Sequence, residues 1–595
     1  MDKKNTVIGV LLIIAAMAAF YYSAKIAPQP QPRPAIETAP ATSPIARNQA
    51  PVGGPASSPH DAALTAPARD TAPAEFVTVA NEFISVKFTN AGGAIDSIAL
   101  LKHAAVKGDD KPYVLNALHA APALSLVDFP GADQDARYQL VSRTSTEVVY
   151  RARANEQLEI TRRYTLLGNG NGDPYQIRHE TTFRNLANQP LPLPRGAINI
   201  GTAAPVNAED FGLYLNVGYW DGEDFEHVER SKLEGGGFLS GFGFGSKVDL
   251  PFIDRPAAIM WASVKNQFFA SILTPDEPGT GMRIARVKVY PQAPVEDKRA
   301  YGVSGIAYFE VKPLAANSST TWGATYFAGP KEYTRLSNTE NFKHDEDKAM
   351  QFGFFGWFAK LLITIMSKVH SWIGGDSLKW GWGWSIVITT LCLKIFFVPF
   401  TLAASRSSKR MAKLAPMLTE IRAKHKDSPQ KAQEAMMRLY KDYKVNPLGG
   451  CIPVLITIPF FIGFFSMLQS TSELRFAAFL WASDLSAPDT IARILGFPLN
   501  IMPLLMGGTM IVQMRLTPMP STDNMQATMF KIMPWIFTLF CYNFSCALAL
   551  YSTVNGLFTI GQQMFINRLP EPELEKRLEA DPKAKMKNVT PKKKK

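Results

Sequence analysis

The chain has 595 residues, 46% of them hydrophobic and 19% charged, with a formal net charge of +12. That length exceeds what one domain usually holds. The four cysteines (Cys392, Cys451, Cys541, Cys546) all lie in apolar stretches of the second half, without metal-ligand spacing, which argues against a zinc site or a disulfide framework and reads as small buried hydrophobes.

In residues 1–27, Lys3 and Lys4 precede a long apolar run from Val7. This suits a cleaved signal peptide or an uncleaved transmembrane anchor, and the lack of an Ala-x-Ala site after the run favours the anchor. Either way the basic end stays inside and the chain beyond the apolar run is exported. Residues 28–74 hold eleven prolines and almost no aromatics, the composition of a spacer that buries no core.

From 75 to 340 the hydrophobic period becomes two. Ile84, Val86 and Phe88 alternate with Ser85 and Lys87 in FISVKF, and the pattern recurs in QLEITRRYTLL, YQIRHETTF, MRIARVKVY and GIAYFEV. A large, mostly antiparallel β-sandwich is expected. His103, His119, His179 and His227 are scattered through it without paired-carboxylate or metal-ligand spacing. They read as surface histidines in ordinary roles, and the sequence gives this domain no chemical task. Residues 341–376 include an apolar stretch interrupted on one side by Lys360, Ser367, Lys368 and Ser371. That pattern, with a strongly basic loop further on, predicts a helix lying in the membrane interface.

Residues 380–404 form a span with Lys394 near its middle. Twelve residues separate Lys394 from Arg406, about 18 Å of helix, too far for the lysine stem to snorkel out. Thr390, Lys394, Thr401 and Ser405 fall within an arc of about 60° at 100° per residue. An ionisable group at that depth costs about 2.5–3.5 kcal/mol or more unless it meets water or a partner. The other spans carry no Asp or Glu to pair with it, so Lys394 marks a functional site.

Residues 405–446 hold eleven Lys/Arg against four acidic residues in two helical stretches around Asp427-Ser428-Pro429, where Ser428 suits a cap and Pro429 a first helical position. This reads as a basic cytoplasmic helical hairpin. Residues 447–569 supply the remaining spans, including Leu448–Leu468, Ile494–Met514, and a long stretch from Phe530 to Ile566 broken near Tyr542-Asn543-Phe544. Its first half, Phe530 to Tyr542, makes only about 20 Å of helix and should thin the bilayer locally. In the last span Ser545, Ser552 and Thr559 recur every seven residues with Asn555 and Gln562 beside them, a second polar stripe able to face the first. The tail, 570–595, is basic and too polar to fold alone.

GWGWSIVITTLCLKIFFVPFT, the stretch YKDYKVNPLGGCIP (Tyr440 to Pro453) and FSCALALYSTVNGLFTIGQQ resemble the YidC/Oxa/Alb family of membrane-protein insertases, and the order of segments resembles its Gram-negative bacterial members over nearly the whole chain. The resemblance implies a polytopic α-helical protein of the inner membrane with both termini cytoplasmic and a large periplasmic domain like the galactose mutarotase sandwiches, without their activity. It implies an insertase and chaperone for nascent membrane proteins, acting alone or with the Sec translocon, with no catalytic residues and no cofactor or metal. Family members carry arginine where Lys394 stands, so the charge is kept and the bidentate fork lost. They carry paired tyrosines where this chain has Tyr551-Ser552, so only Tyr551 carries over, and the turn near Ser545-Cys546-Ala547 also departs from theirs.

The expected substrate groove comprises Lys394, Thr390, Thr401, Tyr551, Ser552 and Asn555, open to cytoplasm and lipid, with the hairpin receiving the client and the hairpin and tail helping to hold a ribosome. The rival readings are an anion channel or transporter using Lys394, and a membrane-tethered carbohydrate-binding protein.

Overall fold

A computed structural model describes residues 73–168, 170–207, 210, 212–234, 249–295, 297–426, 428–443, 445, 452–494, 497–516 and 524–570. The expected anchor, nearly all of the linker and the tail beyond 570 lie outside the described residues. Among those described, 73–364 with 466–477 form one compact unit, and 365–465 with 478–570 another.

The first unit is all-β at its core. A four-stranded sheet runs in the order β1 (Phe76–Ala80), β2 (Ile84–Thr89), β3 (Ala94–Ala104), β4 (Pro112–Leu115). Next in the chain are β5 (Gln139–Arg143), β6 (Glu147–Arg153), β7 (Leu158–Leu166), β8 (Gln176–Asn185), β9 (Gly196–Ala203), β10 (Asn216–Trp220) and β11 (Phe225–Glu229). Then come β12 (Phe252–Arg255), β13 (Trp261–Lys265), β14 (Phe269–Pro275), β15 (Gly281–Lys288), β16 (Tyr301–Phe309) and β17 (Ser319–Pro330). They make a nine-stranded sheet, β11-β10-β13-β14-β17-β8-β7-β6-β5, and a four-stranded one, β12-β15-β16-β9. The pairings are antiparallel, as expected from the sequence. The two sheets pack face to face. A Cβ on Gly305 of β16 would sit 3.0 Å from Val264 of β13 and 3.2 Å from Val217 of β10, and Tyr326 of β17 donates to the Ile200 carbonyl of β9 at 2.8 Å.

One expectation fails here. His179 is no surface residue: Ile177, His179, Thr181 and Phe183 are all buried, because they share the inward face of β8. Its ring stacks on Tyr164 at 4.5 Å and lies 3.2 Å from the Arg162 guanidinium. Burial, and then that guanidinium, hold its pKa well below the usual histidine range. His103 is pushed down to about 4 by burial and then by Arg475 and Arg335. Such neutral imidazoles serve packing, with no carboxylate or metal cluster beside them among the described residues.

The segment 466–477 is part of this unit through polar contacts. Arg475 donates to the carbonyls of Ala104 and Ala105 at 2.6 and 2.8 Å, and Gln267 to that of Gln469 at 3.3 Å.

Helix α1 (Gly356–Trp372) buries Phe358, Leu362, Ile363 and Met366 and exposes Trp357, Leu361 and Trp372. The second unit is helical: α2 (Gly381–Lys424), α3 (Pro429–Asp442), α4 (Ile452–Ser470), α5 (Ile501–Leu516), α6 (Asn524–Phe540) and α7 (Cys546–Arg568). Among the described residues α2 is the one helix both long and apolar enough to cross a membrane by length and composition. Ile458–Ser470, Ile501–Leu516 and Lys531–Phe540 are shorter apolar helices.

Four details depart from the sequence reading. First, α2 continues unbroken for 44 residues through Pro399 and Pro416 into the basic stretch. It meets α3 there around a small seam of Met411, Leu414, Leu418 and Val445, and the Ser428 side chain makes no cap hydrogen bond. Secondly, residues before Asn500 are not helical: β18 (Thr490–Ile494) and β19 (Phe497–Asn500) pair as a hairpin, and α5 starts only after it. Pro498, which breaks helices, sits inside that apolar run. Thirdly, α6 begins at Asn524, ahead of the apolar run. Finally, Cys392 is exposed on α2, whereas Cys541 and Cys546 are buried.

Candidate functional site

Both polar stripes meet along the seam of α2 and α7. The Lys394 ammonium donates to the Thr559 hydroxyl at 3.0 Å. Further along, Gln562 donates to the Thr401 hydroxyl, and Lys409 to the Ile566 carbonyl at 2.6 Å. The hydroxyls are tolerated in apolar helices because each also bonds back to its own helix: Thr390 to Ile386 at 2.7 Å, Thr401 to Val398 at 3.0 Å, and Thr559 to Asn555 at 2.7 Å. Among the described residues Lys394 forms no ion pair; its partner is a neutral hydroxyl. A charge in that setting needs water or a visiting anion to complete its solvation.

Beside this seam is a cavity lined by Thr390, Leu393, Lys394, Phe397 and Thr401 of α2, Phe460 and Phe464 of α4, and Tyr551 and Asn555 of α7. The volume open to the centres of water molecules is about 40 Å³, room for a few waters. Aromatic contacts build its walls: Phe464 stacks on Tyr551 with ring centres 4.0 Å apart, and Phe397 meets Phe460 edge-on at 4.8 Å. The cavity is thus mostly apolar, with the polar groups of Thr390, Lys394 and Thr401 from α2 and Asn555 from α7 set among Leu393, Phe397, Phe460, Phe464 and the Tyr551 ring.

Of the residues expected in the groove, Lys394, Thr390, Thr401, Tyr551 and Asn555 line this cavity and Ser552 does not. At about 100° per residue, Ser552 lies some 60° round α7 from Asn555, toward the side that packs on α5. That side is close: a Cβ on Gly556 would fall 2.5 Å from the Thr509 hydroxyl oxygen of α5, the small-residue approach common between membrane helices. The Ser552 hydroxyl is buried there without a hydrogen-bond partner. The sequence reading missed Phe460 and Phe464, since one aromatic in an apolar span looks like any other. Thr559 was visible, as part of the seven-residue repeat.

The second unit thus holds a cation in a pocket between apolar helices, and the first is a large β-sandwich, as expected of a membrane protein with a separate β domain. The comparisons agree. A family model described as 60Kd inner membrane protein matches residues 373–573, and one described as YidC periplasmic domain matches residues 76–365. The membrane protein insertase YidC of Pelobacter propionicus is 29% identical over 95% of this chain and 99% of its own length. Among solved structures, an active YidC insertase with its first transmembrane domain resolved is 17% identical, with a TM-score of 0.32 over 84% of this chain and 94% of that one. A galactose mutarotase related enzyme from Lactobacillus acidophilus is 9% identical, with a TM-score of 0.28 over 43% of this chain and 97% of that one. The chain belongs to the YidC family of inner-membrane protein insertases, the sandwich being its periplasmic domain. Its substrates are membrane proteins, and its place of work is the inner membrane.

Proposed function

We propose that the cavity at Lys394 is the polar entry of the insertion path, and that the observation carrying this is the Lys394–Thr559 contact at 3.0 Å, with no carboxylate partner among the described residues. In this reading the chain crosses the membrane several times, with both termini in the cytoplasm. A nascent segment arrives at the basic hairpin formed by the end of α2 with α3. Its acidic exported end is drawn toward Lys394, and waters held by Thr390, Thr401 and Asn555 hydrate its backbone. The apolar part slides past Phe460, Phe464 and Tyr551 into lipid. α5, with 16 residues, spans only about 24 Å, against a hydrocarbon core of roughly 30 Å, so the crossing is short. No bond is made or broken, and the work is binding, hydration and release.

The same reading has the hairpin and the basic tail meeting the phosphate-rich surface of a ribosome, and the chain working alone for simple clients and with the Sec translocon for larger ones. An anion transporter is less well supported, since the inverted repeats or paired broken helices of such proteins are not evident in the sequence. The test is reconstitution of the purified full chain in liposomes without Sec components, with a small client bearing an acidic exported tail. Protection of that tail from protease is expected. Intact, correctly oriented vesicles that protect none of it would refute independent insertion.

A further inference from the structure

The hairpin β18–β19 is unusual in where it puts its apolar groups. Its base is polar and tightly held: the Asp489 carboxylate accepts from the Met502 amide at 2.7 Å and from the Trp481 indole at 2.9 Å. The Asn500 amide donates to the Tyr542 carbonyl at 2.8 Å, and the Tyr542 hydroxyl to the Pro498 carbonyl at 2.7 Å. The other end is apolar and mostly exposed, with the Phe497 ring stacked 5.5 Å from that of Tyr542. Ile494 pairs with Phe497 there, and these side chains are 59% and 63% exposed, with Ile491 at 50%. Turn regions of hairpins are ordinarily polar. Cross-strand partners share a face, so Ile494 and Phe497 stand with the Ala492–Leu499 pair, and Arg493 with Pro498 on the opposite face. The hairpin is therefore amphipathic along its length, apolar at its tip and polar at its base.

We propose that this hairpin seats Ile494 and Phe497 in the outer leaflet of the bilayer, beside the start of α5. The occupant is fixed by connectivity. The hairpin runs without a break into α5, an apolar helix, and its base is tied through Asn500 and Tyr542 to the turn between α6 and α7. The preceding segment, 466–477, belongs to the periplasmic unit, which puts the hairpin on the periplasmic side. An amphipathic element at a membrane surface buries its apolar face about 5–10 Å into the headgroup–acyl boundary. Apolar side chains there displace lipid at the end of a helix already too short for the hydrocarbon core, which adds to local thinning next to the insertion path. This rests on the membrane-spanning reading of α5 given above.

The full chain, with its four native cysteines replaced by alanine, is labelled with an environment-sensitive fluorophore at Ile494→Cys and, separately, at Phe497→Cys. Each is reconstituted in phosphatidylcholine–phosphatidylglycerol vesicles. Nitroxide lipids labelled near the headgroup should remove most of the emission, chain-end nitroxides less, and aqueous iodide little. A label at Val106→Cys, exposed on the periplasmic domain, should show the reverse. Quenching by iodide but not by lipid at both hairpin positions would overturn the proposal. So would protection from iodide that arises only when a client is added, which would make β18 an edge for client peptide. Insertion by the labelled chains, scored by protease protection, tells a failed hairpin from a failed α5 span, because loss of the span abolishes insertion whereas a hairpin resting in water does not.

Discussion

Replacing Lys394 by alanine should lower the insertion rate of clients with acidic exported tails by about tenfold to a hundredfold. A hydrogen bond to a charged group is worth about 1.5–3 kcal/mol, and each 1.4 kcal/mol is a factor of ten. Lys394→Arg should keep most of the rate, since the charge stays and the longer fork still reaches the Thr559 side of α7. Clients with neutral tails should be much less affected by either change. The measurement is the initial rate of protease protection in proteoliposomes, wild type and both variants, with matched acidic and neutral tails. Equal losses for both tails in the alanine variant would mean that Lys394 holds the bundle together instead of attracting the client. Unchanged rates with every client would remove the electrostatic step altogether.

The second large effect is one of stability with little loss of function. Trp261, on β13 between β10 and β14, is fully buried. Its indole donates to the His344 carbonyl at 2.7 Å and its ring stacks against Phe225 at 5.5 Å. Trp261→Ala opens a large cavity and orphans that carbonyl, at a cost of about 3–5 kcal/mol, a large part of the roughly 5–15 kcal/mol that holds a typical domain. In detergent the full-length variant should lose its β-sheet signal at clearly lower temperature and become open to protease within residues 73–364. Insertion in liposomes should nevertheless persist, because the proposed path runs through the helical unit. Loss of insertion with the helical signal intact would shift the work to the sandwich, as a carbohydrate-binding reading requires.

The sandwich was legible because period-two alternation survives wherever one face of a strand is buried. ISVKFT, LEITRRYTL and QIRHETTFRN are β2, β7 and β8. The same alternation would have placed His179 inside, between Ile177 and Thr181, had it been followed residue by residue. The polar stripes were legible too, since a hydroxyl or amide every three, four or seven residues is rare in apolar helices. Other features were not. ILGFPLN is a short apolar run that helix and strand share equally, and only the long-range ties of Asn500 to Tyr542 decide for a hairpin. The attachment of Arg475 to Ala104 and Ala105 joins residues about 370 apart in sequence, and no local pattern announces it. Ser552 was placed in the groove by its seven-residue spacing from Thr559, but two helical turns separate them and Ser552 falls outside the cavity at Lys394.

The most direct test of the insertion path is crosslinking during insertion. A photoreactive residue is placed singly at Thr401, at Asn555 and at Leu557, which is exposed on α7, and a client is stalled midway with its acidic tail emerging. Adducts from Thr401 and Asn555 early, and from Leu557 only as the apolar segment moves into lipid, are expected. Early adducts from Leu557 with none from Thr401 or Asn555 would show that clients bypass the Lys394 cavity.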